Sequence, residues 1–268
     1  MSEFAAAAPG DEHDKEAMPT MGFLDHLEEL RKRIVYSILI VMVGTGACWV
    51  YRERIYGVMQ KPIMDALRAS GMPEKLVYLN PTEPFNLYLK IAMLGGLFLT
   101  SPFVLYQVWM FISPGLYRNE KKYVVPFMIS TISLFTLGGY FGYSIAYPRA
   151  LGFFLGDFSK QFQPMITIGE YTSLFLSIVL GMGLIFEMPI LVFFLSLMGI
   201  MSPRFMWKNF RYAILVIFIL AAIVTPTPDI VNMCVFAAPM LALYALSIGV
   251  SWLVHPKQRE SRKAKAAQ

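Results

Sequence analysis

Y-Q-V-W-M-F-I-S-P-G-L-Y-R-N-E-K-K, residues 106–122, ends one long apolar segment, turns at Ser113, Pro114 and Gly115, and starts another. The turn carries a single carboxylate, Glu120, among Arg118, Lys121 and Lys122, with the aromatic Phe111 just ahead of it. Cations gathered between two apolar runs mark the water-facing end of membrane spans. The lone acid leaves two readings of the stretch: a plain membrane anchor, or half of a receptor for a basic peptide.

Composition places the chain in the membrane. Of its 268 residues 56% are apolar and only 15% charged, with mean hydropathy +0.54; a soluble domain carries about 25% charged residues. Several apolar runs exceed the roughly 18 residues of a spanning helix, which makes this an all-α integral membrane protein. The runs are continuous rather than alternating, which excludes a β-barrel. A net charge of +5 would point to nucleic acid in a soluble protein, but here the basic residues cluster at segment ends and no nucleic-acid partner is expected. Cys48 and Cys234 lie inside apolar runs, and His13, His26 and His255 are scattered. With no phosphate-binding loop, nucleophile elbow or metal-ligand spacing, no enzyme, cofactor or metal is expected, and any transport work must draw on energy from elsewhere.

Residues 1–20 are Ala-rich, acidic and aperiodic, which reads as a disordered tail. In residues 21–34, Phe23, Leu24, Leu27, Leu30 and Ile34 recur at helical spacing opposite Asp25, Glu28, Glu29, Lys32 and Arg33. This is an amphipathic interfacial helix running into the first span. Glu28 and Glu29 stand four residues before Lys32 and Arg33, where i,i+4 pairing is worth about 0.2–0.5 kcal/mol. Six spans follow: Ile34–Val50, Phe85–Ile112, Tyr123–Tyr147, Tyr171–Ile200, Tyr212–Val224 and Ile230–Val254. The N-terminal part, the alternate connections and the basic tail 255–268 hold fifteen Lys and Arg, against seven on the other side, so both termini are expected in the cytoplasm.

The first external connection has Pro62 at a first helical position and Gly71 just past the end, so it holds a short helix. With the second external connection it can cap the bundle. Pro102 and Pro189 should bend the second and fourth spans. The fifth span, thirteen residues, is about 20 Å long, short of the ~30 Å hydrocarbon core, so the bilayer must thin or water must enter there. Gly138, Gly142, Gly181 and Gly183 are placed for close helix packing. Glu187, in I-F-E-M-P, is the one carboxylate well inside an apolar run. It either contacts cargo, a partner helix or a proton, or sits neutral and hydrogen-bonded across the bundle, with Gln107 the candidate partner. Asp229, after T-P-T-P, is a good helix N-cap, and Thr225 opens the same turn.

H-L-E-E-L-R-K-R (26–33), Y-Q-V-W-M-F-I-S-P-G-L-Y (106–117) with E-K-K (120–122), F-E-M-P (186–189) and T-P-T-P-D (225–229) together resemble the TatC family, receptors of the twin-arginine protein translocase. The resemblance covers nearly all of residues 21–254, the membrane domain. It implies a curved six-helix bundle with short fifth and sixth helices, in the bacterial cytoplasmic membrane. It also implies binding of twin-arginine signal peptides and export of folded proteins on the proton-motive force. TatA- and TatB-type single-span proteins, the lipid bilayer and further copies of the receptor would be partners. Glu29 and Glu120 fall where the family receives the two arginines, with Glu28 and Phe111 beside them. Glu187 and Asp229 fall on the family's membrane-facing and turn acids, Gln107 and Thr225 accompany them, and Pro62, Pro114 and Pro189 are structural. An ion-coupled secondary transporter using Glu187 for coupling is the alternative function.

Overall fold

The computed structural model describes residues 23–112, 124–156, 165–197, 199–225 and 229–254, and all the regular elements among them are helical. The chain from Phe23 to Val50 contains no proline and forms one helix of 28 residues, α1, about 42 Å long. The amphipathic segment and the first span are therefore one rod. Its end tightens at Tyr51, whose N–H donates to the Cys48 carbonyl at 3.1 Å.

Two short helices follow, α2 (Arg52–Met59) and α3 (Lys61–Ala69). Pro62 sits in the first turn of α3 and Gly71, at φ +68°, just beyond its end, as the sequence implies. α4 (Glu83–Ile112) runs 30 residues through Pro102. Proline has no N–H for the Phe98 carbonyl one turn earlier, and the Ser101 hydroxyl donates to that carbonyl at 2.8 Å instead.

α5 (Val124–Phe141) passes through a π-helical turn at Gly142–Ala146 into α6 (Tyr147–Leu155), with helical backbone angles kept at Phe141 and Tyr147. The third apolar segment thus extends a further eight residues past Tyr147, its expected end. α7 (Ile168–Phe186) and α8 (Met188–Leu197) are the fourth segment broken in two at Glu187. Pro189, in the first turn of α8, has no N–H to continue the ladder. α9 (Pro203–Lys208), α10 (Phe210–Val224) and α11 (Ile230–Val254) complete the chain.

Among the described residues, four stretches are long and apolar enough to cross a membrane: Leu24–Val50, Glu83–Phe111, Ile168–Ser196 and Ile230–Trp252. α10 is apolar but only 15 residues, about 22 Å. The expectation of a short sixth helix is corrected: α11 has 25 residues, about 37 Å. It carries Pro239 in its interior without ending, because the apolar run continues on both sides and α11 packs along α8, where Ser196 and Ser251 share a buried hydrogen bond of 2.7 Å.

α7 is the central pillar. Tyr171, Phe175, Ile178, Val179, Met182 and Phe186 are buried at spacings of three and four, a stripe facing α4, α5 and the π turn. Gly138 and Gly142 let α5 and the π turn close onto it: a Cβ at Gly138 would lie 2.6 Å from the Met182 carbonyl oxygen. At one end of the bundle the two long connections pack together, as the sequence suggested. α3 lies against α6, and Val77 pairs with the segment before α7 through Val77 N–H to Ile166 O at 3.0 Å and Ile168 N–H to Val77 O at 2.8 Å. Tyr143 and Tyr171 donate to the last carbonyls of α2, at Val58 (2.9 Å) and Met59 (2.5 Å), and so hold this cap on the bundle.

Candidate functional site

The site is built on the contact between α1 and α4. The two helices run antiparallel: Thr45 meets Gly96, Arg33 meets Gln107, and His26 meets Phe111. Their register is set where side chains are missing. A Cβ on Gly96 would stand 2.5 Å from the Thr45 nitrogen, and one on Gly44 would stand 2.4 Å from the Thr100 methyl and 3.0 Å from the Gly96 carbonyl oxygen. Such backbone-to-backbone approach is available only to glycine.

From this contact the helices extend towards the N-terminal end of α1, where the polar groups gather. Arg33 donates through Nη2 to Glu29 Oε1 at 3.2 Å and through Nη1 to Gln107 Oε1 at 3.1 Å. The Arg33 and Glu29 side chains are 20% and 17% exposed, so the group is largely withdrawn from solvent. It is not fully satisfied, because Glu29 Oε2 and Arg33 Nε are buried without a hydrogen-bond partner among the described residues. One helical turn further, the His26 and Phe111 rings stack at 4.4 Å with 17° between planes.

Of the residues singled out in the sequence, the fold brings Glu29, Gln107 and Phe111 to one end of this helix pair. The i,i+4 pair forms at Glu29–Arg33, while Glu28 is exposed and does not pair with Lys32. Glu120 and Pro114 lie outside the described residues.

Glu187 stands at the break between α7 and α8. Its N–H bonds the Leu184 carbonyl, its carbonyl accepts from Ile190 and Leu191, and Oε1 is buried without a partner among the described residues. The pairing of Glu187 with Gln107 is corrected: Gln107 accepts from Arg33 on α1, because the register of α4 turns it to that neighbour. At the last turn, Thr225 is buried and its hydroxyl donates back to the Ala221 carbonyl at 2.6 Å, closing α10. Asp229 accepts from the N–H groups of Val231 (3.2 Å) and Asn232 (2.8 Å) and caps α11. Both polar groups at this turn thus complete helix ends.

Sequence reasoning passed over His26 as a stacking partner, and over the glycines that align α1 with α4. The signal for the second was present: G-T-G at 44–46 and G-G at 95–96 are small-residue clusters inside apolar runs. No comparable signal exists for His26, whose partner lies 85 residues away.

The chain is similar to known proteins along most of its length. The family described as Sec-independent protein translocase protein (TatC) matches residues 25–239. The protein of that name from Koribacter versatilis is 63% identical over 249 residues, covering 93% of this chain and 92% of the relative. That from Desulforapulum autotrophicum is 38% identical over 246 residues, covering 92% and 89%. Among solved structures, a crystal structure of the twin arginine translocase receptor TatC superposes with a TM-score of 0.72 at 34% identity, covering 85% of this chain and 99% of that one.

Proposed function

The chain belongs to the TatC family of Sec-independent protein translocase proteins, and from that premise we propose that it is a receptor for twin-arginine signal peptides. Membership favours a translocase component over the alternative of an ion-coupled secondary transporter. In the proposed reading, residues 21–254 form a six-span bundle with both termini in the cytoplasm, flanked by tails at 1–20 and 255–268, in a bacterial cytoplasmic membrane. Small single-span proteins of the TatA and TatB type, and further copies of the receptor, assemble with it to export folded cargo on the proton-motive force.

The observation that carries this reading is the meeting of Glu29, Gln107 and Phe111 at one end of the α1–α4 pair, where α4 ends at Ile112, eight residues before Glu120 in the chain. Two arginines have fixed charge, and each can fork onto a carboxylate, which the point charge of lysine cannot do. One acid per arginine, Glu29 and Glu120, then makes a discriminating pair at the water-facing end of the bundle. Glu28 adds negative potential beside them, and Arg118, Lys121 and Lys122 repel basic segments that fail to engage both acids. The apolar part of the signal runs on towards Glu187, whose unpartnered oxygen supports a contact with signal or partner helix. The short α10, with Thr225 and Asp229 at its turn, is where the bilayer is thinned and a partner docks.

Site-specific crosslinking in membranes tests this. Photo-reactive probes at positions 111 and 120 are expected to capture a labelled twin-arginine peptide, in competition with unlabelled peptide. Capture that is insensitive to that competition, or that is equal for a twin-lysine peptide, would overturn it.

A further inference from the structure

Glu29 already has an arginine. Arg33 reaches it through a single contact, Nη2 to Oε1 at 3.2 Å, while Gln107 holds the other terminal nitrogen at 3.1 Å. The fork is thereby split between two acceptors on two helices, and neither the carboxylate nor the guanidinium is used up. Among the described residues, Glu29 Oε2 and Arg33 Nε both remain buried without partners. A bidentate arginine–carboxylate pair is shorter and stronger than this one-oxygen contact.

We propose that Arg33 is an internal occupant of the Glu29 subsite, which an incoming arginine must exchange for its own guanidinium, and that this resident pair sets the affinity threshold a signal peptide has to exceed. The proposal rests on the reading of Glu29 as an arginine acceptor given above. Exchange of one guanidinium for another keeps the charge at the carboxylate unchanged. The newcomer gains what Arg33 does not have, two parallel bonds that use Oε2 as well as Oε1. Arg33, one-fifth exposed, retains Gln107 and can turn its freed nitrogens to water. A lysine ammonium offers a compact point charge in place of a planar fork, so it removes Arg33 without supplying the two-oxygen contact in return. Displacing Arg33 costs the same for either newcomer, so the resident arginine lowers both affinities alike, and the weaker lysine contact is the first to fall below the threshold.

The test compares affinities of a twin-arginine and a twin-lysine peptide for the full chain in lipid nanodiscs. Arg33→Gln is expected to raise affinity for both by roughly tenfold, the scale of one charge-assisted bond. The ratio of the two affinities stays close to that of the parent. Lys32→Gln removes the same charge from an exposed neighbour that does not occupy Glu29, and is expected to raise both affinities much less. Arg33→Lys keeps the charge but loses the fork, and is expected to raise both affinities by less than Arg33→Gln, a readout that stands even if the glutamine variant does not fold. Weaker twin-arginine binding in Arg33→Gln, or gains in the Arg33 variants no larger than that of Lys32→Gln, overturn the proposal. Glu29→Gln separates the two ideas: if it weakens twin-arginine binding while the Arg33 variants leave both affinities unmoved, only the exchange falls. If Glu29→Gln has no effect, the receptor site itself is misassigned.

Discussion

Gly96 on α4 and Thr45 on α1 touch backbone to backbone: a Cβ on Gly96 would stand 2.5 Å from the Thr45 amide nitrogen and 2.8 Å from its Cα. This is the contact from which the register of the whole helix pair follows. Arg33 meets Gln107, and His26 meets Phe111, only because the two rods are aligned here.

A side chain at position 96 should therefore disturb a site far from it. Gly96→Val is expected to cost about 1–3 kcal/mol through overpacking and to weaken twin-arginine peptide binding, although no group of the site has changed. Gly46→Ala, with nothing within 4 Å of its Cβ, should leave both properties alone. Thermal unfolding in detergent and peptide affinity, measured on the same preparations, decide this.

The two proposed arginine acceptors should be separable by titration with peptide. Glu29→Gln and Glu120→Gln are each expected to weaken twin-arginine binding by roughly tenfold or more, the scale of a lost hydrogen bond to a charged group. Twin-lysine and twin-arginine peptides binding both variants as they bind the parent would refute charge pairing.

Glu187 lies in the membrane-embedded body, at the break between α7 and α8, away from the α1–α4 junction. Glu187→Ala should leave initial peptide binding close to that of the parent while reducing export of folded cargo. Normal export by this variant in a cell-based transport assay would remove the residue from the mechanism.

The cap is held by tyrosine hydroxyls of unequal burial. Tyr171 is 2% exposed and donates to the carbonyl of Met59, also 2% exposed, so Tyr171→Phe leaves a buried acceptor unpaired. The expected loss is about 1–3 kcal/mol. Tyr143→Phe removes the solvent-exposed bond to Val58, where water can replace it, and should cost about 0.5 kcal/mol. Equal melting temperatures for the two variants would contradict this account.

In the first connection, Arg68 donates to Glu74 through Nε at 2.9 Å and Nη2 at 2.8 Å. These bonds hold the Glu74 carboxyl below the usual carboxylate range. A depressed folded-state value stabilises the protein above the ordinary carboxylate pKa, and that contribution disappears as pH falls through the depressed value. The pair is exposed, so the effect is small. The parent should lead Glu74→Gln slightly in thermal stability at pH 7, and the gap should close on acidification towards pH 3. A gap that widens with acid would reverse the assignment.

The amino-acid sequence determined what depends on residues within a turn of one another. The apolar runs, the proline and glycine that bound α3, the Asp229 cap of α11 and the Glu29–Arg33 pair are all local, and each is found in the fold. It also carried the family, because motif order and spacing survive without coordinates. What it left open is how rods lie against each other. Gln107 serves Arg33 and not Glu187, His26 finds Phe111, Gly96 admits Thr45, and Val77 joins the segment before α7. In a membrane protein a face against lipid and a face against a neighbouring helix are both apolar, so hydrophobic patterning does not say which is which. Only the tertiary structure, by bringing glycine backbones into contact, chose the register that completes the Glu29 site.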